Sequence, residues 1–171
     1  MYLKSVYASP LGEMTLLAKD EALVGVWFSD QAHFGAGYDL DSVDFGESHP
    51  LSLAASWLDS YFAGERPSID SLPLAPEVTE FRGLVLSVLE SVPYGSTITY
   101  KEIATRITDL RGGRKSSARA VGGAVGHNPI SIIIPCHRVV GSNGSLTGYA
   151  GGISRKIALL DLEGAAHGKF I

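Results

Sequence analysis

The sequence predicts a mixed α/β (α+β) chain in two parts. An N-terminal three-stranded antiparallel sheet with a helix spans 1–76, and a mostly helical C-terminal domain spans 77–171, with a helix-turn-helix and a short strand leading to the single cysteine. Three observations predict it. Apolar and polar residues alternate between turn signals through the first thirty positions. Apolar residues at helical spacing begin at Ala54 and again at Phe81. Between these helices Glu65 to Glu77 carries Pro67, Pro73 and Pro76, and the charge balance changes sign near this linker. Residues 1–99 hold four basic side chains against fourteen acids, net −10, whereas 100–171 hold ten against four, net +6.

Each element has a local signature. Tyr2 to Ala8, Met14 to Ala18 and Ala22 to Phe28 read as strands, divided by Pro10-Leu11-Gly12 and Lys19-Asp20-Glu21. Gly35 to His49 is acidic, bears glycine and lacks a helical period, so it reads as a surface loop or an irregular connection. Ala54, Trp57, Leu58 and Tyr61 form an amphipathic stripe that stops near Gly64. In the second part, Phe81, Leu84, Val85, Val88 and Leu89 form another stripe, ended by Pro93-Tyr94-Gly95. Thr99 and Glu102 match a capping box that starts a helix from Tyr100 to about Thr108. Gly112 and Gly113 break it. Ser116 or Ser117 then caps a helix through Gly126, with Ala118, Val121 and Val125 facing inward. The pair resembles a helix-turn-helix with a basic turn, since Tyr100 to Arg119 carries six basic residues against two acids. The other face of the second helix presents Arg119, Gly122, Gly123 and Gly126. Glycine costs up to about 1 kcal/mol at each helical position, so this face is built for close approach to another surface, either outside the chain or within it.

Composition narrows the function. With 45% hydrophobic and 19% charged residues in 171, the chain has material for a core. The first thirty residues lack a signal-peptide pattern, and no run approaches the roughly 20 apolar residues that cross a bilayer, so a cytoplasmic protein without membrane attachment is expected. One cysteine forms no internal disulfide, and the scattered histidines suggest no metal site. Ser131 to Ile134 reads as a buried strand that ends at Pro135-Cys136-His137-Arg138. A lone cysteine is often a small hydrophobe, but His137 and Arg138 offer a base and a positive charge that could lower the thiol pKa from about 8.5. Glu163 closes a helix from Ser154, where the helix dipole disfavours an anion; a partner such as a histidine would explain it.

Ile134-Pro135-Cys136-His137-Arg138-Val139 resembles the active-site motif of the O6-alkylguanine-DNA alkyltransferases, also called methylated-DNA-protein-cysteine methyltransferases. Pro93-Tyr94-Gly95, Thr99-Tyr100, Ala118 to Gly122, Asn128-Pro129, Gly148 to Gly152 and Leu162-Glu163-Gly164 occur in the family's order, so 79–164 is covered closely. Ser9 to Gly12 and Tyr61 to Glu65 are similar more loosely.

The resemblance implies a suicide repair protein that flips an O6-alkylguanine (or O4-alkylthymine) out of duplex DNA and takes the alkyl group onto Cys136 once. It implies that His137, supported by Glu163, draws the thiol proton through a water, that Asn128 holds the loop, and that Tyr100 donates to the leaving base. Pro135, Val139, Tyr149, Ala150 and Gly151 would line the pocket. Arg119 would fill the gap left by the flipped base, with Gly122, Gly123, Ala118, Arg114 and Lys115 at the DNA. No cofactor is implied. A monomer is expected, with cooperative binding along DNA left open. Two departures stand out: the 109–115 stretch is longer than usual, and the helix at Phe81 lacks the family's glutamine and tryptophan. A cysteine hydrolase would need a base separated in sequence and an oxyanion hole, and a DNA-binding regulator would leave Cys136, His137 and Glu163 without roles.

Overall fold

The computed structural model describes residues 1–168. Two compact units emerge, Met1–Glu77 with Pro129–Ile133, and Val78–Asn128 with Ile134–Ile171. A single boundary in the sequence does not express this division, because a five-residue segment of the later chain belongs to the first unit.

In the first unit, β1 (Tyr2–Ser9), β2 (Gly12–Lys19) and β3 (Ala22–Phe28) form an antiparallel meander. Ser9 closes the first turn, its hydroxyl accepting from the Leu11 N–H at 3.1 Å and donating to the Gly12 carbonyl at 2.6 Å. Both faces of the sheet are apolar, and each needs a cover. The segment read as a surface loop supplies one: Tyr38, Leu40 and Val43 pack with Tyr2 against Leu17, Val24 and Trp27. It also adds a short strand, β4 (Asp44–Phe45), parallel to β1, so the sheet has four strands in the order β3-β2-β1-β4. The helix α1 (His49–Phe62) packs on β1, β2 and β3 and buries Leu51, Ala54, Trp57, Leu58 and Tyr61. The proline-bearing linker is not free either, since Leu23 exchanges backbone hydrogen bonds with Pro73 and Ala75 at 2.8 and 2.9 Å. Val26 does the same with Pro129 and Ser131, so two segments cover the β3 edge that would otherwise invite another strand.

In the second unit, α2 (Glu80–Glu90), capped by Thr79, buries Val85, Leu86, Val88 and Leu89. The two-residue strand β5 (Ile98–Thr99) leads directly into α3 (Tyr100–Leu110), and the capping box is present with both bonds at 3.1 Å. Ser117 caps α4 (Ala118–Gly126), and α2, α3 and α4 pack on one another. Val121, Ala124 and Val125 face inward; Ala118, expected with them, is exposed, because it begins the first turn and Ala124 takes the inward position. β6 (Val139–Val140) pairs in parallel with β5, and α5 (Ile153–Glu163) closes the unit on Val140, Leu146 and Ala165. No helix among the described residues is long and apolar enough to cross a membrane.

Candidate active site

The approach to Cys136 is a turn. Ile130 makes one isolated bridge to Val26, after which Ser131 to Ile134 bends rather than continuing as a ladder, although every residue is buried. Ile132 sits at φ 69°, a conformation that costs a branched side chain roughly 1–2 kcal/mol. β-branched residues serve burial here and leave extension aside. After Pro135 a single 3₁₀ turn, Cys136–Arg138, sends three consecutive side chains in three directions. Neighbours on a strand would face opposite ways, whereas this turn lets Cys136 and His137 take other directions. Asn128 fixes the turn from behind, its side-chain amide donating to the Ile134 carbonyl at 2.8 Å.

His137 and Arg138 both turn to Glu163. The imidazole Nε2 lies 2.7 Å from Oε2; Arg138 donates through Nε to Oε1 at 2.8 Å and through its terminal nitrogen to Oε2 at 3.1 Å. The Gly95 N–H donates to Oε1 at 3.1 Å, and Arg138 also donates to the Val92 carbonyl at 2.7 Å. The glutamate therefore has the partners that its place at the end of a helix demands, with its side chain fully shielded from water. Burial pushes His137 below its ordinary pKa, against the pull of Glu163, so the ring is neutral near pH 7 and able to accept a proton.

Arg138 is thus committed to Glu163 and does not supply the positive charge expected beside the thiol. Lys156 supplies it instead. Burial is the largest influence on Cys136 and raises its pKa, while a hydrogen bond with the Asn128 side chain and the charge of Lys156 pull the other way. The net direction is upward, so the resting thiol is protonated rather than preionised. Lys156 is 1% exposed and donates to the Val139 carbonyl at 2.6 Å, with Thr147 O and Oγ1 at 3.5 and 3.4 Å. Its burial lowers its own pKa to about 8.

The residues expected to line the pocket differ in exposure. Pro135 and Val139 are buried, Gly151 is buried, and Tyr149 and Ala150 are half-buried. Gly152, at φ 95°, turns the chain from Tyr149 into α5, and Arg155 donates back to the Gly151 carbonyl at 3.1 Å. The Tyr149 hydroxyl is buried with no hydrogen-bond partner among the described residues. Tyr100, at the start of α3, meets the Thr147 hydroxyl at 2.9 Å.

The helix-turn-helix presents a separate surface. Arg114, Lys115, Ala118 and Arg119 are exposed, and Arg111 braces the long turn by donating to Ser116 at 3.0 Å while lying over the Phe81 ring. A Cβ at Gly123 or Gly126 would meet nothing within 4 Å, and one at Gly122 would only touch the Tyr100 ring at 4.0 Å. Among the described residues, the glycine face is thus not consumed by packing.

Lys156 and Thr147 escaped the sequence reading. Lys156 had a signal: it lies three residues after Ile153 and four before Leu160, on the apolar stripe of α5, where a cation needs a reason. Thr147 had none, because its partners come from α3 and α5.

Two family models match, the ribonuclease-like domain of 6-O-methylguanine DNA methyltransferase over residues 2–76 and its DNA binding domain over residues 80–165. A methylated-DNA–protein-cysteine methyltransferase of Methanosarcina acetivorans is 43% identical over 164 residues, covering 94% of this chain and 97% of the relative. The crystal structure of the Mycobacterium tuberculosis O6-methylguanine methyltransferase superposes with a TM-score of 0.81 at 40% identity, covering 96% of this chain and 93% of that one. A Mycobacterium tuberculosis OGT solved in complex with DNA gives 0.80 at 41% identity, covering 94% and 92%. Matched over nearly its whole length, this chain belongs to the 6-O-methylguanine-DNA methyltransferase family.

Proposed function

We propose that this protein repairs duplex DNA by direct reversal, moving an alkyl group from O6 of guanine, and from O4 of thymine, onto Cys136 irreversibly and once per molecule. The observation that carries this reading is a lone buried thiol in a turn with a neutral imidazole whose other side is held by a buried glutamate. DNA binding by a close relative and the exposed basic helix-turn-helix support the choice of substrate.

The residues then take these roles. With Nε2 given to Glu163, the lone pair of neutral His137 lies on Nδ1, which accepts the Cys136 proton through a water. The sulfur forms a bond to the alkyl carbon as the carbon–oxygen bond to guanine breaks, and the electron pair passes to the departing base. Tyr100 donates its phenol proton to the base ring nitrogen, so guanine leaves neutral. Asn128 holds the turn, Lys156 stabilises negative charge on sulfur, and Pro135, Val139, Tyr149, Ala150 and Gly151 wall the flipped base. Ala118, Gly122 and Gly123 let α4 approach the groove, Arg119 occupies the gap in the stack, and Arg114 and Lys115 contact phosphate. The protein acts as a monomer on chromosomal DNA in the cytoplasm and needs no cofactor.

Incubation with a duplex carrying one O6-methylguanine, followed by intact and peptide mass spectrometry, tests this. One methyl on Cys136, stoichiometric and absent in Cys136→Ser, is the expected result. Tight binding to the lesion with no mass change would instead make the chain a damage-recognition protein.

A further inference from the structure

Tyr100, Thr147 and Lys156 come from α3, the loop before α5 and α5 itself, and they meet at one hydroxyl. The Thr147 Oγ1 lies 2.9 Å from the Tyr100 hydroxyl and 3.4 Å from Lys156 Nζ. Either hydroxyl of the first pair could donate when the pair is taken alone. An ammonium has three donors and no acceptor, so Lys156 can only donate to Thr147 Oγ1, which keeps its own proton and a second lone pair. When Thr147 gives that proton to Tyr100, the Tyr100 proton is left to point out of the row, which is the polarity a donor to the base requires.

We propose that Thr147 is a positioning residue for alkyl transfer, which sets the polarity of the Lys156–Thr147–Tyr100 row so that the Tyr100 phenol is held as a donor to the departing base. The inference rests on Tyr100 acting as that donor. When Tyr100 gives up proton density, the negative charge developing on its oxygen meets the Thr147 hydroxyl and, one step further, the lysine cation. The row acts on charge that develops as the base departs, so its effect falls on the rate of transfer rather than on binding. The second contact of Lys156, to the Val139 carbonyl at 2.6 Å, holds the amine in place when the hydroxyl is removed.

The test is a set of single-turnover rates on duplex DNA carrying O6-methylguanine, for wild type, Thr147→Val, Thr147→Ser, Tyr100→Phe and the double variant Tyr100→Phe with Thr147→Val. Thr147→Val should slow transfer about tenfold. Its Kd for the same duplex, measured in a Cys136→Ser background, should change by less than about twofold. Thr147→Ser should restore the rate to within about threefold, because it keeps the hydroxyl. In the Tyr100→Phe background, Thr147→Val should add less than about twofold. A full additional loss in that background, or no recovery with serine, overturns the inference, since Thr147 would then act through pocket shape. Thr147→Val at the wild-type rate beside a slow Tyr100→Phe also overturns it and leaves the reading of Tyr100 intact. Tyr100→Phe at the wild-type rate removes that reading itself. Should Thr147→Val fail to fold, as melting would reveal, Thr147→Ala takes its place with the same expectations.

Discussion

Two glutamates each gather several donors, and they differ in what surrounds them. Glu77 accepts from the hydroxyls of Tyr38 and Tyr2 at 2.7 and 2.8 Å and from Lys19 at 3.2 Å, all at the surface of the first unit. Glu163 accepts from His137, Arg138 and the Gly95 N–H in the interior of the second. The tyrosine hydroxyls hold the Glu77 carboxyl below its ordinary pKa, yet water can replace each of its partners. No such substitute reaches Glu163, whose loss strands an arginine and reorients a histidine. Similar chemistry is thus decoration in one place and a commitment in the other.

Removing each carboxylate in turn sharpens this contrast. Glu163→Gln leaves Arg138 uncompensated and should cost about 3 kcal/mol of stability. It should also slow alkyl transfer on the order of 10²–10⁴-fold, because His137 loses the partner that orients it and favours its protonated form. Melting temperature and single-turnover rate check the two effects together.

Lys156→Met follows in size. Loss of the cation beside Cys136 raises the thiol pKa further and should slow transfer about tenfold. The lysine also leaves a mark on stability. Its folded pKa of about 8 lies below its ordinary 10.5, so the unfolded chain binds the extra proton between those values and stability rises with pH there. Cys136, whose raised pKa acts with the opposite sign in part of that window, is present in both proteins, so denaturant unfolding at several pH values should show wild type gaining stability relative to Lys156→Met as the pH rises.

The glycine face gives an effect of opposite sign on two readouts. Alanine at Gly123 or Gly126 meets no neighbour among the described residues, so it should raise stability by up to about 1 kcal/mol while weakening DNA binding by keeping α4 away from the groove. Arg119→Ala should leave stability unchanged and weaken capture of the lesion. Glu77→Gln comes last: a melting shift within about 2 °C and no change in transfer.

How much was legible before the structure differs along the same contrast. Local rules carried the three long strands, the stripe of α1, the capping box of Thr99 and Glu102 and the Ser117 cap, because each depends on neighbours in sequence. The need for a partner at Glu163 was legible from its place at a helix end. Ser131 to Ile134 was misread because an apolar β-branched run reports burial in a turn as readily as in a strand. Ala118 was misread because the apolar period does not say where on the helix packing begins. Arg138 promised a charge for the thiol but gave it to Glu163, a choice made by the 3₁₀ turn. Gly35 to His49 carries no period, and its role as the cover of Trp27 becomes visible only once β3 is placed.

In the proposed reaction the site stores its cysteine as a protonated thiol and ionises it during attack, through a neutral histidine. Because Cys136 is the single cysteine of the chain, the ultraviolet absorbance of thiolate, taken as the difference between wild type and Cys136→Ser, reports its ionisation directly. No thiolate step is expected between about pH 6 and 8.5 in the free protein, since burial lifts the pKa above the ordinary range. A thiolate signal already complete at about pH 7 would contradict it, and would mean that Cys136 is ionised before substrate arrives.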